Sequence, residues 1–200
     1  MSLVVLPSLD VFTKQIHEAN KAKGFWGNEP TQDFISEKFM LMVTELAEVV
    51  EAHRHGLRTR INLTDFDDDL VGDSDERFID YYNSFIKGSI DEELADVVIR
   101  AYDFIGWMGV YVTEPNRRAD PEEINVAAYC LIYTKFILMA SDSYLFDGGS
   151  RNKEMCMQDL AMLVDGMYAL AIRLGIDLDW HILTKLRYNS LRGHKHGKKY

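Results

Sequence analysis

The 200 residues include only two cysteines and four prolines, and no apolar run approaches the ~20 residues needed to span a membrane. The longest run, Val126 to Ala140, is interrupted by Thr134 and Lys135. Cys130 and Cys156 lack metal-ligand spacing and fall on apolar helical faces, so they read as buried free thiols of a cytoplasmic protein. The segment Ser2 to Pro7 is too short for a signal peptide and has no basic flank. Basic surplus is also missing. A net charge of -10 excludes general binding of a nucleic-acid polymer through a basic surface. Strand-like alternation is absent as well, and scarce proline with a 47% hydrophobic fraction indicates a folded, mainly helical chain.

What is present is helical periodicity. Helices are expected over about Leu9 to Lys23 and Gln32 to His55, each closed by a glycine, Gly24 and Gly56. Residues 57–88 read as a long connection, with acidic stretches at Asp65 to Asp69 and Asp73 to Glu76 taken as solvated loop. Ser89 with Glu92 forms a capping box, so a third helix starts near Ile90 and Glu92 has a structural task. Asp120 before Pro121 marks a fourth helix reaching about Tyr144. A fifth covers about Lys153 to Leu174, and a last runs from Asp177 or Asp179 to about Arg192. The expected fold is one all-α domain over 1–200, a bundle of about six helices.

A faint internal repeat accompanies this pattern. Leu41 to Glu45 resembles Leu131 to Lys135 at an offset of 90, and Glu92 to Val110 aligns with Gln158 to Ile176 at an offset of 66. In that register Lys135, Leu138 and Met162 replace Glu45, Glu48 and Asp96, while Asp159 stands opposite Glu93.

Those four acids are the most informative residues of the chain. Glu45 and Glu48, and Glu93 and Asp96, are pairs spaced by three, so each pair shares one helix face. Both pairs lie in apolar stretches, where an ionised carboxylate is costly unless a cation compensates it. Two such pairs facing each other form an oxygen-lined half-shell for a hard ion such as Mg2+, with Mn2+ as the alternative. A di-iron bundle would require Glu-x-x-His pairs, and no histidine follows Glu45, Glu48 or Glu93 at that spacing.

Complementary charge lies at the other end. Residues 185–200 carry six Lys or Arg and no acid, leaving 16 basic against 32 acidic residues in 1–184. Lys185, Asn189 and Arg192 share a face at i, i+4 and i+7, as phosphate binding requires. Near the front, His17, Asn20 and Trp26 could supply donors and an aromatic lid for a base.

Taken in order, His17-Glu18 to Gly24-Phe25-Trp26, Glu45-Leu-x-Glu48, Glu93-Leu-x-Asp96-Val-Val-Ile-Arg100, Lys185-x-x-x-Asn189-x-x-Arg192 and the His-Gly-Lys-Lys-Tyr terminus resemble the MazG-like all-α nucleoside triphosphate pyrophosphohydrolases. The resemblance covers 16–55, 89–110 and 175–200. About 65 further residues, over roughly 115–172, form an insertion or the degenerate repeat. The resemblance implies Mg2+-dependent cleavage of a nucleoside triphosphate between its α and β phosphates, in a house-cleaning or pool-balancing role. By motif, Glu45, Glu48, Glu93 and Asp96 would hold metal, and Lys185 and Asn189 would bind phosphate or position the nucleotide, with Arg192 as an extension. Glu45, Glu48 and Lys185 would carry the chemistry. A nucleotide is then the partner, with no membrane and a homo-oligomer, a dimer or higher, because such hairpins rarely cover their own apolar faces. A non-enzymatic nucleotide-sensing or helical interaction protein retaining the fold is the alternative.

Overall fold

A computed structural model describes residues 8–27, 30–60, 74–111, 113–118, 125–146 and 152–194. Among them are seven helices and no strand: α1 (Leu9–Ala22), α2 (Gln32–Arg54), α3 (Asp75–Phe85), α4 (Ile90–Met108), α5 (Val126–Leu145), α6 (Lys153–Leu174) and α7 (Leu178–Leu191). Their starts are set by side-chain caps that satisfy otherwise orphaned amides. Thr31, Ser89, Asn125 and Asp177 each accept from the backbone N–H three residues on. Gly109 and Gly175, 66 residues apart, end α4 and α6 in the left-handed conformation that glycine adopts at least cost.

Helix α4 is the hub. Fifteen of its 19 residues are buried, because α1, α2, α6 and α7 all pack on it. The pair α5/α6 completes a four-helix bundle with α2/α4, α5 lying on α2 and α6 on α4. Full burial of side chains such as Leu46, Leu94, Ile105 and Leu163 contributes about 1.5–3 kcal/mol each. The contact of α1 with α4 leaves no room for a Cβ at Gly106, which would lie 2.2 Å from the Thr13 carbonyl oxygen.

Two elements differ from the sequence expectation. Helix α3 forms inside the supposed connection 57–88, where Ser74 caps it and Phe78 and Tyr82 are buried with Ile86 against Tyr188 of α7. The Tyr82 and Tyr188 rings stack at 4.0 Å. Helix α5 begins behind Asn125 rather than Asp120; the expected start at Asp120 and Pro121 lies outside the described residues, as do Asp65 to Asp69. Helix α6 is long and apolar enough to cross a membrane by length and composition, although its sequence expectation is a bundle helix. Burial of 56% of that stretch within the bundle accounts for its apolarity. Cys130 and Cys156 are buried and free, and burial pushes both thiols up to about 12.

Burial also shifts the repeat register by one. Buried Ile35, Phe39, Leu46, Val49 and Ala52 of α2 match buried Val126, Cys130, Ile137, Ala140 and Ser143 of α5 at an offset of 91, not 90. The C-caps His55 and Phe146 agree with 91 as well. The offset of 90 would set buried Glu45 against exposed Lys135; at 91 its counterpart is half-buried Phe136. The offset of 90 rests on two identities, Leu41 with Leu131 and Thr44 with Thr134, whereas the inward face, which packing reads, sets 91.

Candidate functional site

Packing of α2 on α4 brings together three of the four acids. Carboxylate oxygens of Glu45, Glu48 and Glu93 all lie within 4.8 Å of one another. Glu45 is 5% exposed and Glu93 9% exposed, whereas Glu48 opens to solvent. Burial, opposed by Arg100 and reinforced by Asp96 and Glu48, raises Glu45 to about 7. Burial and the neighbouring carboxylates of Asp96, Glu92 and Glu48 raise Glu93 to about 9. In both, burial is the larger cause and the adjoining carboxylates add to it.

Asp96 takes a different place. Its Oδ2 lies 2.6 Å from Nζ of Lys185, and the same ammonium is paired with Glu92. Lys185 is 8% exposed. Burial alone would lower its pKa, yet Asp96 and Glu92 outweigh burial and hold it firmly charged. Glu92 joins pocket to scaffold, accepting from the Tyr82 hydroxyl at 2.8 Å and the Gly88 amide at 2.5 Å while its own amide donates to Ser89 Oγ at 3.2 Å. The capping role expected of Glu92 is therefore joined by an ion pair that its spacing did not announce.

These groups line a pocket of about 310 Å³ with six carboxylates and five cationic side chains. Lys185, Asn189 and Arg192 all reach it from α7 and its C-cap, as their shared face predicted. The side-chain oxygen Oδ1 of Asn189 is buried there with no hydrogen-bond partner among the described residues. An acceptor of that kind suits a ligand hydroxyl or amine; phosphate would need the amide's NH2 group instead. His194 stands beside Gly24, while Lys195, Lys198, Lys199 and Tyr200 lie outside the described residues.

His17 and Trp26 are not among the pocket's lining residues; Asn20, Phe25 and Lys38 are. The Trp26 indole N–H donates to both oxygens of Asp103, at 2.9 and 3.0 Å, and His17 Nδ1 lies 3.1 Å from the nearer one. Asp103 is 7% exposed, and a buried carboxylate requires such donors. Sequence reading placed Arg100 in a motif without a role and passed by Lys38; Arg100 Nε donates to Glu45 Oε1 at 2.5 Å, and the Lys38 ammonium donates to the Phe25 carbonyl at 2.8 Å and lies 4.6 Å from the Trp26 ring centroid. Spacing could have shown both. Arg100 follows Glu93 by seven and Asp96 by four, and Lys38 precedes Glu45 by seven, so each shares a face with the acids.

No protein-family model, curated protein or solved structure matches this chain. The chemistry of the site rests on its geometry. Three convergent carboxylate oxygens fit a hard divalent cation that completes its shell with water and a ligand's oxygens. Asp96, held by Lys185, stands behind them as an electrostatic neighbour. The cations at Lys38, Lys87 and Arg192 line the same space, as an anionic ligand requires.

Proposed function

We propose that this chain is a Mg2+-dependent nucleotide pyrophosphohydrolase that converts a nucleoside triphosphate to monophosphate and pyrophosphate. The observation that carries the reading is the convergence of Glu45, Glu48 and Glu93 opposite the Lys185, Asn189 and Arg192 face in one pocket. Glu45, Glu48 and Glu93 would hold the metal, Mg2+ or Mn2+, which neutralises phosphate charge when bound. Arg100 fixes the Glu45 carboxylate, and Lys185 fixes Asp96 and Glu92, so the acid wall is oriented before substrate arrives. Glu48, exposed beside the buried pair, takes the proton from water as its oxygen bonds to the α phosphorus. The bond from that phosphorus to the bridging oxygen breaks, and pyrophosphate leaves. Arg192 and Lys87 balance the charge of the phosphates, and Phe25 with Asn20 faces the nucleoside end. The family resemblance supports the same reaction and a house-cleaning or pool-balancing role in the cytoplasm.

One observation favours a second reading. The Lys185 ammonium is saturated by two carboxylates, as in a binding protein whose site recognises Mg2+–nucleotide without turning it over. Pyrophosphate release, measured across ribo- and deoxyribonucleoside triphosphates with Mg2+, separates the two. Release that requires Mg2+ supports the enzyme; nucleotide binding without release from any member of the panel supports the sensor.

A further inference from the structure

The outward face of α5 is made of the wrong residues for a solvated surface. Leu131, Leu138, Met139 and Phe146 are 69%, 55%, 50% and 71% exposed, with Ile132 on the same side. They repeat at sevens (131 and 138; 132, 139 and 146), so they form one stripe rather than scattered exposures. A hollow opens beside the stripe, lined by Met139, Asp142 and Phe146 and, from α6, by Met155, Gln158 and Asp159. In the burial register part of this hollow is the counterpart of the acid pocket, with Met139, Gln158 and Asp159 in the place of Glu48, Glu92 and Glu93. The acid pocket is closed by α7, which packs on α4. Helix α6 packs chiefly on α5 and α4, and its Tyr168 reaches α7 at Asp179, away from the hollow's lining residues.

The only charged residues on the stripe between Leu131 and Phe146 are Lys135 and Asp142. Their midpoint, 138.5, is also the midpoint of Leu131 and Phe146 and of Leu138 and Met139. A two-fold axis at that point, with two α5 helices antiparallel, matches every one of these positions to its complement. Lys135 of each copy meets Asp142 of the other, Leu131 meets Phe146, and Leu138 meets Met139. Self-complementarity about a point is the signature of an isologous interface. We infer that α5 is a homodimerisation helix, and that a second copy of this chain covers the stripe, Leu131 of each copy entering the hollow at Met139, Phe146 and Met155 of the other.

The test is sedimentation equilibrium on the full chain and on surface variants, with helical content checked by circular dichroism. Wild type is expected at about twice the 23.1 kDa chain mass. Leu138→Glu places a charge at the axis and is expected to give monomer with unchanged helicity. Lys135→Asp and Asp142→Lys each set like charges against one another twice, and each is expected to weaken self-association at least tenfold. Mixing those two variants restores both pairs, one copy being acid at both positions and the other basic, so the mixture returns to dimer. Wild-type monomer at tens of micromolar overturns the inference. So does a dimer that survives Leu138→Glu, or one in which the two charge variants fail to rescue each other.

Discussion

The α2/α4 and α5/α6 hairpins bury matching positions and fill them with different chemistry. Glu45, Glu48, Glu93 and Asp96 of the first correspond to Phe136, Met139, Asp159 and Met162 of the second. Around the acids the first hairpin carries a complete supporting set: Arg100 on Glu45, Lys185 on Asp96 and Glu92, and Tyr82 behind them. The second keeps one acid and no such support. Where Arg100 projects, its counterpart is Gly166, whose missing side chain leaves the space that the Tyr133 ring occupies. Shape alone therefore makes a bundle, whereas the site needs charge balanced across α2, α4 and α7.

The largest effect should come from the acid that opens to solvent. Glu48→Gln is expected to lower Mg2+-dependent pyrophosphate release by at least ~10²-fold, the usual contribution of a positioned base, with an unchanged circular dichroism spectrum. Its partner experiment is Asp159→Asn in the second hairpin, where turnover should stay within twofold of wild type. Equal losses in the two variants would break the contrast between the hairpins.

Next in size is a stability effect. Lys185→Met leaves Glu92, 3% exposed, and Asp96 without their counter-charge, and removing one member of a buried pair costs about 3–5 kcal/mol. Lys135→Met on the exposed face of α5 should change stability by less than ~0.5 kcal/mol. Urea midpoints for the two variants, at low concentration to limit association, measure the difference. Similar midpoints would mean that the Lys185 network contributes little to the fold.

Both hairpins were largely legible in the sequence because α2, α4 and α6 have continuous apolar faces and strong stop signals. Helix α3 was not, because its inward face is only Phe78 and Tyr82 among Asp75, Glu76, Asp80 and Asn83, so composition outweighed an i, i+4 aromatic pair. In the site, residues on one helix face were readable: three acids converge, and Lys185, Asn189 and Arg192 line the pocket together. Pairings between helices were not. Asp96 met Lys185, Glu45 met Arg100, and Asp103 took His17 and Trp26, each choice being made by tertiary approach that no spacing encodes.

The acid cluster also predicts a pH signature that α5/α6 should lack. Glu93 is raised from its unfolded value near 4.5 to about 9, so the folded chain binds the proton more tightly than the unfolded one. Its stabilising contribution is full below about 4.5 and is lost as pH rises towards and through about 9; Glu45 acts in the same direction, up to about 7. Metal-free protein should accordingly lose on the order of a few kcal/mol between pH 5 and pH 9. Glu93→Gln should flatten that slope, and Asp159→Asn should leave most of it. A slope unaltered by Glu93→Gln would assign the pH dependence to other groups.

The smallest effect is the gain in Tm with metal, and its pH dependence is the sharpest discriminator. Protons and Mg2+ compete for the same oxygens of Glu45 and Glu93, so binding must strengthen as those carboxyls ionise. A millimolar Mg2+ addition should raise Tm by a few degrees at pH 9 and by less at pH 6, following the ligand-linkage relation. Calcium would test selectivity, since three convergent carboxylates with room for water do not by themselves exclude the larger ion. Titration calorimetry should then find binding at one cluster per chain, since Phe136, Met139 and Met162 offer no carboxylate at the positions that match Glu45, Glu48 and Asp96. A second cluster that disappears in Asp159→Asn would show that the second hairpin had retained metal chemistry after all. The absence of any gain in Tm at pH 9 would leave the raised carboxyls as protonated packing groups, and the Mg2+ site would fall with it.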